Sequence, residues 1–256
     1  MKRVLVIGIV WSAFGCRSAG TCSMLPPAAP APPVAAASPA PQEMPDSLHW
    51  FRNSAEYRAL ALQSYRIAGS ELAKAAAARK AGDRPWAVIL DADETVLDNS
   101  GYEKELLDQG VKHTPAHWSD WVGRKQEPLV PGALAFVQGV RSLGGRIAIV
   151  SNRTTAECPD TAATFVERGV PYDVLLCKST DQKDKLSRFD EVASGAAFKD
   201  KQAVDVLMWV GDNILDFPGL SQAARKEPEG AFEAFGARFV ILPNPVYGSW
   251  ESNPKE

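Results

Sequence analysis

Trp86-Ala87-Val88-Ile89-Leu90-Asp91-Ala92-Asp93-Glu94-Thr95 is the stretch on which the fold turns. An apolar run without polar interruption marks a strand buried on both faces, and such strands belong to parallel sheets covered by helices. The run ends on a carboxylate, and a second carboxylate follows two residues on. Four more β-prone runs come later, at Arg146–Ser151, Tyr172–Cys177, Val204–Gly211 and Ala237–Leu242. Helical patterns lie between most of them, at Gly132–Leu143, Pro159–Arg168 and Lys183–Ala193. Strands alternating with helices predict an α/β fold with a doubly wound parallel sheet. Upstream, Leu48–Ala81 is rich in helix formers, lacks proline and stops at Gly82, which predicts an N-terminal helical extension. Trp50, Leu60 or Ala61, Tyr65 and Leu72 can share its apolar face.

Sheets of this kind bind ligands beyond the carboxyl ends of their strands. The chemically interesting residues fall there. Asp91 to Thr95 closes the first strand, Ser151-Asn152-Arg153 the second, and Gly211-Asp212-Asn213 with Asp216 the fourth. Lys185 and Arg188 open the helix after the third. Asp212 and Asp216 share a face if their segment is helical. Gathered together, Asp91, Asp93, Asp212 and Asp216 would repel one another: two like charges 4 Å apart cost about 4 kcal/mol even at an effective dielectric of 20. A phosphate ester adds further negative charge, so the site needs a cation. Hard oxygen ligands left partly open to water and phosphate suit Mg²⁺. Asp91 and Asp212 are expected as side-chain ligands, Asp93 through its backbone carbonyl, and Asp216 through a bound water.

A carboxylate beside such an ion can attack phosphorus and form an aspartyl-phosphate. That makes Asp91 the nucleophile and Asp93 the general acid/base. Ser151 and Asn152 are placed to hold a phosphoryl oxygen. Lys185, helped by Arg188, would supply fixed positive charge. An EF-hand reading of the first motif fails, because Val96 stands at its sixth position and Tyr102 at its twelfth. His49, His113 and His117 have no metal-ligand spacing. Glu94, Asp98 and Asp120 read as structural or solvated.

These residues resemble the haloacid dehalogenase (HAD) superfamily, whose first motif is DxDx[TV]. The longer stretch ILDADETVLDNSGY (89–102) looks like the first signature of bacterial class C acid phosphatases, and VGDNILDF (210–217) looks like the second. Their aspartates are the four that name the "DDDD" phosphatases. The segment LPNPVYGSWE (242–251) is similar to the LPNxxYGxWE end of the lipoprotein e (P4) 5′-nucleotidase group. Trp50, Ser54-Ala55-Glu56, Gln63 and Tyr65 are similar to that group's N-terminal helix. The resemblance covers about residues 48 to 251. Ala92 departs from the usual larger aliphatic residue and Ile214 from leucine. The stretch Lys178–Arg188 is longer than the family's lysine segment; Lys185 keeps a Lys-x-x-Arg-Phe pattern and is preferred over Lys178 and Lys183. The resemblance implies a HAD-like, Rossmann-like domain over 46–256 with a small cap inserted at about 99–130. It further implies aromatic residues that stack on a nucleoside ring. Trp121 and Tyr247 are the candidates, with Tyr102 and Trp118 behind them. Nucleoside 5′-monophosphates and aryl phosphates are the substrates it implies. A phosphotransferase of the same fold is an alternative. A catalytically silent binding or storage relative is another, against which the intact Asp91, Asp93, Ser151, Asp212 and Asp216 set argues.

The chain has 256 residues and a formal net charge of −3, with no basic excess to suggest a nucleic-acid polymer as partner. Lys2 and Arg3 precede an apolar run, Val4 to Phe14, too short to span a bilayer. Ala13-Phe14-Gly15-Cys16 resembles a lipobox, which would make 1–16 a signal and Cys16 a lipid anchor. A plain cleaved signal ending near Ala19 or Gly20 is the alternative. Residues 17–45, rich in Ala, Pro and Ser, read as a disordered tether. The expected location is therefore the outer membrane or the periplasm, with a homodimer left open. Cys158 and Cys177 either pair, outside the cytoplasm, or are two buried small hydrophobes.

Overall fold

The computed structural model describes residues 43–255. The expected signal, Cys16 and nearly all of the tether lie outside the described residues. Five parallel strands form one sheet in the order β3-β2-β1-β4-β5: β1 (Trp86–Leu90), β2 (Arg146–Thr154), β3 (Val174–Lys178), β4 (Asp205–Gly211) and β5 (Phe239–Ile241). The central strand β1 is buried along its whole length. Side chains alternate across the sheet as the two-residue period requires. Val88, Leu90, Ile147, Ile149, Met208 and Val210 enter one core. Ala87, Ile89, Ala148, Val150 and Trp209 enter the other. Fully burying one such aliphatic side chain contributes about 1.5–3 kcal/mol.

The first core is covered by α2 (Ala55–Ala77), α5 (Ala133–Ser142) and Phe165 of α6 (Cys158–Glu167). The second is covered by α7 (Leu186–Ala193), together with Phe198 and Phe217. The single helix expected over Leu48–Ala81 is two helices, α1 (Asp46–Asn53) and α2. Ser54 is extended between them, and its hydroxyl accepts a hydrogen bond from the Tyr57 amide. A cap of this kind contributes about 1 kcal/mol, which favours a break there. Ala61, Tyr65 and Leu72 are buried as expected, but Leu60 is exposed and Trp50 sits on α1. The Tyr65 hydroxyl donates to the Thr95 carbonyl at 2.5 Å, so the N-terminal extension braces the turn after β1.

Between β1 and α5 the chain forms α3 (Ser100–Gln109) and α4 (Pro115–Arg124). They pack a small cluster of their own, Tyr102, Leu106, Trp121 and Val122. The two stems of this insertion are joined where Leu97 bridges Leu129 and the Val130 amide donates to the Val96 carbonyl at 3.0 Å. Cys158 and Cys177 are disulfide-bonded, which ties the start of α6 to edge strand β3. Closing a loop of this size stabilises a fold by about 3 kcal/mol on the chain-entropy account. Among the described residues, no helix is long and apolar enough to cross a membrane.

Candidate active site

The sheet order makes the chain run outward from β1 to β3 and then return to the other side of β1 at β4. The crevice at that switch lies beyond the ends of β1 and β4. The Asp91 amide donates to the Val210 carbonyl at 2.9 Å, which sets Asp91 and Asp212 side by side. Asp216 joins them from a single 3₁₀ turn, Ile214–Asp216, rather than from an α-helix. The turn is tight because Asn213 caps it and its amide donates to Asp216 Oδ2 at 2.9 Å. A Cβ on residue 211 would fall 2.3 Å from that same oxygen, so only glycine fits beneath Asp216.

Carboxylate oxygens of Asp91, Asp212 and Asp216 lie within 4.8 Å of one another. Burial, with Asp216 and Asp93 adding to it and Lys185 opposing, lifts the Asp91 pKa to about 7. Burial, then Asp216 and Asp91, likewise holds Asp212 well above the ordinary carboxylate range. Lys185 is buried with its ammonium 2.6 Å from Asp91 Oδ1 and 2.7 Å from Asp216 Oδ1. Burial works against that charge, yet the two aspartates keep its pKa above that of an ordinary lysine. Lys185 offsets one negative charge only. Hard carboxylate oxygens crowded this closely fit a divalent cation, which would reverse the upward shifts. Asp216 Oδ1 accepts from Lys185 at 2.7 Å and Oδ2 from the Asn213 amide at 2.9 Å, so its carboxylate is held at two points.

Asp93 follows on the same turn. Between it and Thr95, Glu94 has φ +50°, a left-handed conformation that costs a non-glycine residue about 1–2 kcal/mol. Its buried carboxylate accepts the Asn99 amide at 2.7 Å, which holds the turn. Burial, followed by Asp93 and Asp212, keeps the Glu94 pKa well above the usual range.

Asn152 lines the crevice, and its Oδ1 accepts from the Arg188 guanidinium at 2.8 Å, leaving its amide nitrogen for a ligand. Two expected roles change at β2. Ser151 and Asn152 lie within the strand, because Thr154 still pairs with Lys178 beyond a register shift. Ser151 is buried, and its hydroxyl accepts the Arg153 amide at 3.0 Å. Arg188 does not line the crevice. Burial lowers its pKa, and it donates to the Ser151 carbonyl and to Asn152, so it braces their segment from behind.

The crevice has a volume of about 610 Å³. Tyr102, His113 and Trp118 wall it from the inserted helices, and Val246, Tyr247 and Glu251 from the C-terminal segment. The Tyr102 hydroxyl pairs with His113 Nδ1 at 2.8 Å and its ring meets Trp118 edge-on at 5.1 Å. Burial raises the Tyr102 pKa to about 12. Trp121 corrects the sequence expectation: it is 5% exposed and does not reach the crevice. Its indole donates to Asn99 Oδ1 at 3.0 Å, and its ring covers Gly101 so closely that a Cβ there would come within 2.7 Å. No face of it remains for a substrate ring.

Four residues given no role from sequence belong to the site. Thr95 Oγ1 donates to Asp212 Oδ1 at 3.1 Å and Asn244 to Asp212 Oδ2 at 2.9 Å. Arg153 and Asn99 both contact Asp93. The sequence signals were of position: Thr95 and Asn99 lie in the first signature, Arg153 follows Ser151-Asn152 directly, and Asn244 sits in the C-terminal motif.

The sequence profile of the HAD superfamily, subfamily IIIB (acid phosphatase), matches residues 18–250. The class C acid phosphatase from Bacillus anthracis is 30% identical, with a TM-score of 0.70 over 82% of this chain and 89% of that one. The structure of that enzyme with tungstate bound is 29% identical, with the same TM-score of 0.70 and the same coverage, 82% and 89%.

Proposed function

Since the chain belongs to the acid phosphatases of HAD subfamily IIIB, and is thus a phosphomonoester hydrolase, we propose that it cleaves nucleoside 5′-monophosphates and aryl phosphates through an aspartyl-phosphate on Asp91, with Mg²⁺ as cofactor. The observation that carries this reading is the meeting of Asp91, Asp212 and Asp216 beside the buried Lys185. Asp91 and Asp212 would hold the ion by their side chains, Asp93 by its carbonyl, and Asp216 through water. When bound, the ion neutralises charge on the phosphoryl oxygens and aligns them with the nucleophile.

In the first step an Asp91 oxygen bonds to phosphorus as the ester P–O bond breaks. The Asp93 carboxyl gives its proton to the departing oxygen, which leaves as the alcohol. In the second step a water oxygen attacks phosphorus, its proton passes to Asp93, and the bond to Asp91 breaks to release inorganic phosphate. Lys185 keeps the Asp91 carboxylate in place through both steps. The Asn152 amide is the group placed to hold a phosphoryl oxygen, with Ser151 behind it. Tungstate, a tetrahedral oxyanion bound by the Bacillus anthracis enzyme, supports a site of this shape.

Trp118 and Tyr247 support a ring-bearing substrate, because they bring aromatic side chains to the crevice from the insertion and from the C-terminal segment. A phosphate-release panel over nucleotides, aryl phosphates and sugar phosphates tests this. Ring-bearing esters should have the lower KM. Tyr247→Ala should raise that KM by about 2- to 13-fold, the worth of one aromatic contact of about 0.5–1.5 kcal/mol, and leave sugar phosphates unchanged. Equal effects on both classes would remove the stacking role.

We also infer that the domain is exported and held at a membrane by Cys16, at the end of the tether. The Cys158–Cys177 disulfide supports an oxidising location. Mass spectrometry of the mature N-terminus should find a lipidated Cys16; a free residue near Ala19 or Gly20 would refute the anchor.

A further inference from the structure

Arg153 is buried in the wall of the crevice, with no solvent-exposed side-chain surface. Its Nε donates to Asp93 Oδ1 at 2.9 Å, and one terminal nitrogen lies 2.8 Å from the same oxygen. That nitrogen also donates to Glu127 Oε1 at 3.0 Å and reaches Asn99 Oδ1 at 3.3 Å. The other donates to Thr161 at 3.2 Å, and the guanidinium lies 5.3 Å from the centre of the Trp118 ring. Asn99 Nδ2 donates to Asp93 Oδ1 as well, at 2.8 Å. Oδ1 is thereby surrounded by donors on the protein side. Asp93 Oδ2 has no hydrogen-bond partner among the described residues, and Asp93 lines the crevice.

We infer that Arg153, with Asn99, is the positioning residue that turns Asp93 Oδ1 inward and leaves Oδ2 as the atom that delivers and collects the proton. A carboxyl whose one oxygen is saturated with N–H donors can carry its proton only on the other. Glu127 is fully buried and balances the Arg153 charge, so the guanidinium acts on Asp93 mainly by geometry. One guanidinium edge converging on Asp93 Oδ1 with a second acid behind is a task for arginine, since a lysine ammonium cannot reproduce the planar set of donors. Asn99 and Glu127 sit on the two stems of the inserted helices and Trp118 lies within the insertion, so the same contacts register the crevice wall against the proton donor.

This inference rests on the acid/base reading of Asp93, and the test separates the two. The readout is kcat/KM of the full Mg²⁺-loaded enzyme, which covers steps up to formation of the phospho-enzyme. The probes are 4-nitrophenyl phosphate, whose leaving group departs without a proton, and glycerol 2-phosphate, whose alkoxide needs one. The variants are Arg153→Lys and the double variant Arg153→Met with Glu127→Gln, which leaves no unpaired buried charge. Both should lose activity on the alkyl ester, the double variant by about 100-fold, and on the aryl ester by less than about fivefold. Arg153→Lys should fall between the double variant and the wild type. Equal losses on both esters, or no loss on either, would overturn the positioning role. Asp93→Asn run alongside identifies the cause. If it shows the leaving-group bias and the Arg153 variants do not, only the positioning fails; if it shows none, the acid/base reading fails and takes the positioning with it.

Discussion

Asp91→Asn should reduce turnover by about 10⁴-fold or more on every phosphate ester, because removal of a nucleophile forfeits the whole covalent route. The fold should survive the change. Asp91 lies at the end of β1 and holds its place through its backbone amide, which donates to the Val210 carbonyl whatever the side chain. The carboxamide is nearly isosteric, and in the metal-free protein it removes one of three crowded carboxylates. Lys185 keeps Asp216 as its partner at 2.7 Å. The variant should therefore match the parent in circular dichroism and melting temperature while being inactive. Activity within tenfold of the parent would exclude Asp91 as the attacking group.

Chelation should abolish activity, and added Mg²⁺ should restore it. The physical reason is the electrostatic cost of the site. Asp91 and Asp212 are both held above the ordinary carboxylate range by burial and by neighbouring carboxylates, Asp216 foremost among them, Asp91 at about 7. A carboxyl with a raised pKa in the folded state contributes stability below its unfolded pKa, and that contribution is lost as pH rises through the folded value. In chelator, this pair should therefore favour the folded state near pH 5 and lose that advantage towards pH 7.5. Cation binding works in the opposite direction, because protons and metal compete for the same oxygens. The rise in melting temperature on adding Mg²⁺ should be larger at pH 7.5 than at pH 5.5, with apparent affinity weakening by up to about tenfold per pH unit for each proton displaced. Asp212→Asn should remove most of this response. An enzyme fully active in chelator would leave the acidic cluster without its proposed function.

Much of this architecture was readable before any coordinates. β1 is an unbroken apolar run buried along its whole length, and the other strands carry apolar stretches that alternate with helices, which is the pattern of a helix-covered parallel sheet. The acids at their ends follow from the same geometry. Lys185 could be chosen over Lys178 and Lys183 because, with Arg188 and Phe189, it keeps the Lys-x-x-Arg-Phe pattern of the family it resembles, and it is the one buried beside Asp91. What escaped were choices that depend on a partner distant in sequence. Trp118 and Trp121 lie three apart on one helix and look equivalent; a hydrogen bond from Trp121 to Asn99 turns one inward and leaves the other at the crevice. Arg188 reads as a phosphate-binding cation, yet burial and two acceptors on the β2 end make it a brace. Arg153 carried no signal beyond its neighbours, since nothing local announces that Asp93, Glu127, Asn99 and Thr161 will enclose it. The break at Ser54 escaped because the reading of Leu48–Ala81 rested on its overall richness in helix formers and its lack of proline.

The covalent role of Asp91 is tested most directly by the stereochemical course at phosphorus, using a phosphorothioate ester made chiral there with two oxygen isotopes and hydrolysed in water carrying the third, so that the thiophosphate released is itself chiral. Each in-line displacement inverts the centre. Attack by Asp91 followed by attack of water gives two inversions, and net retention is the expected result. Net inversion would mean that water attacks the ester directly and that no aspartyl-phosphate forms.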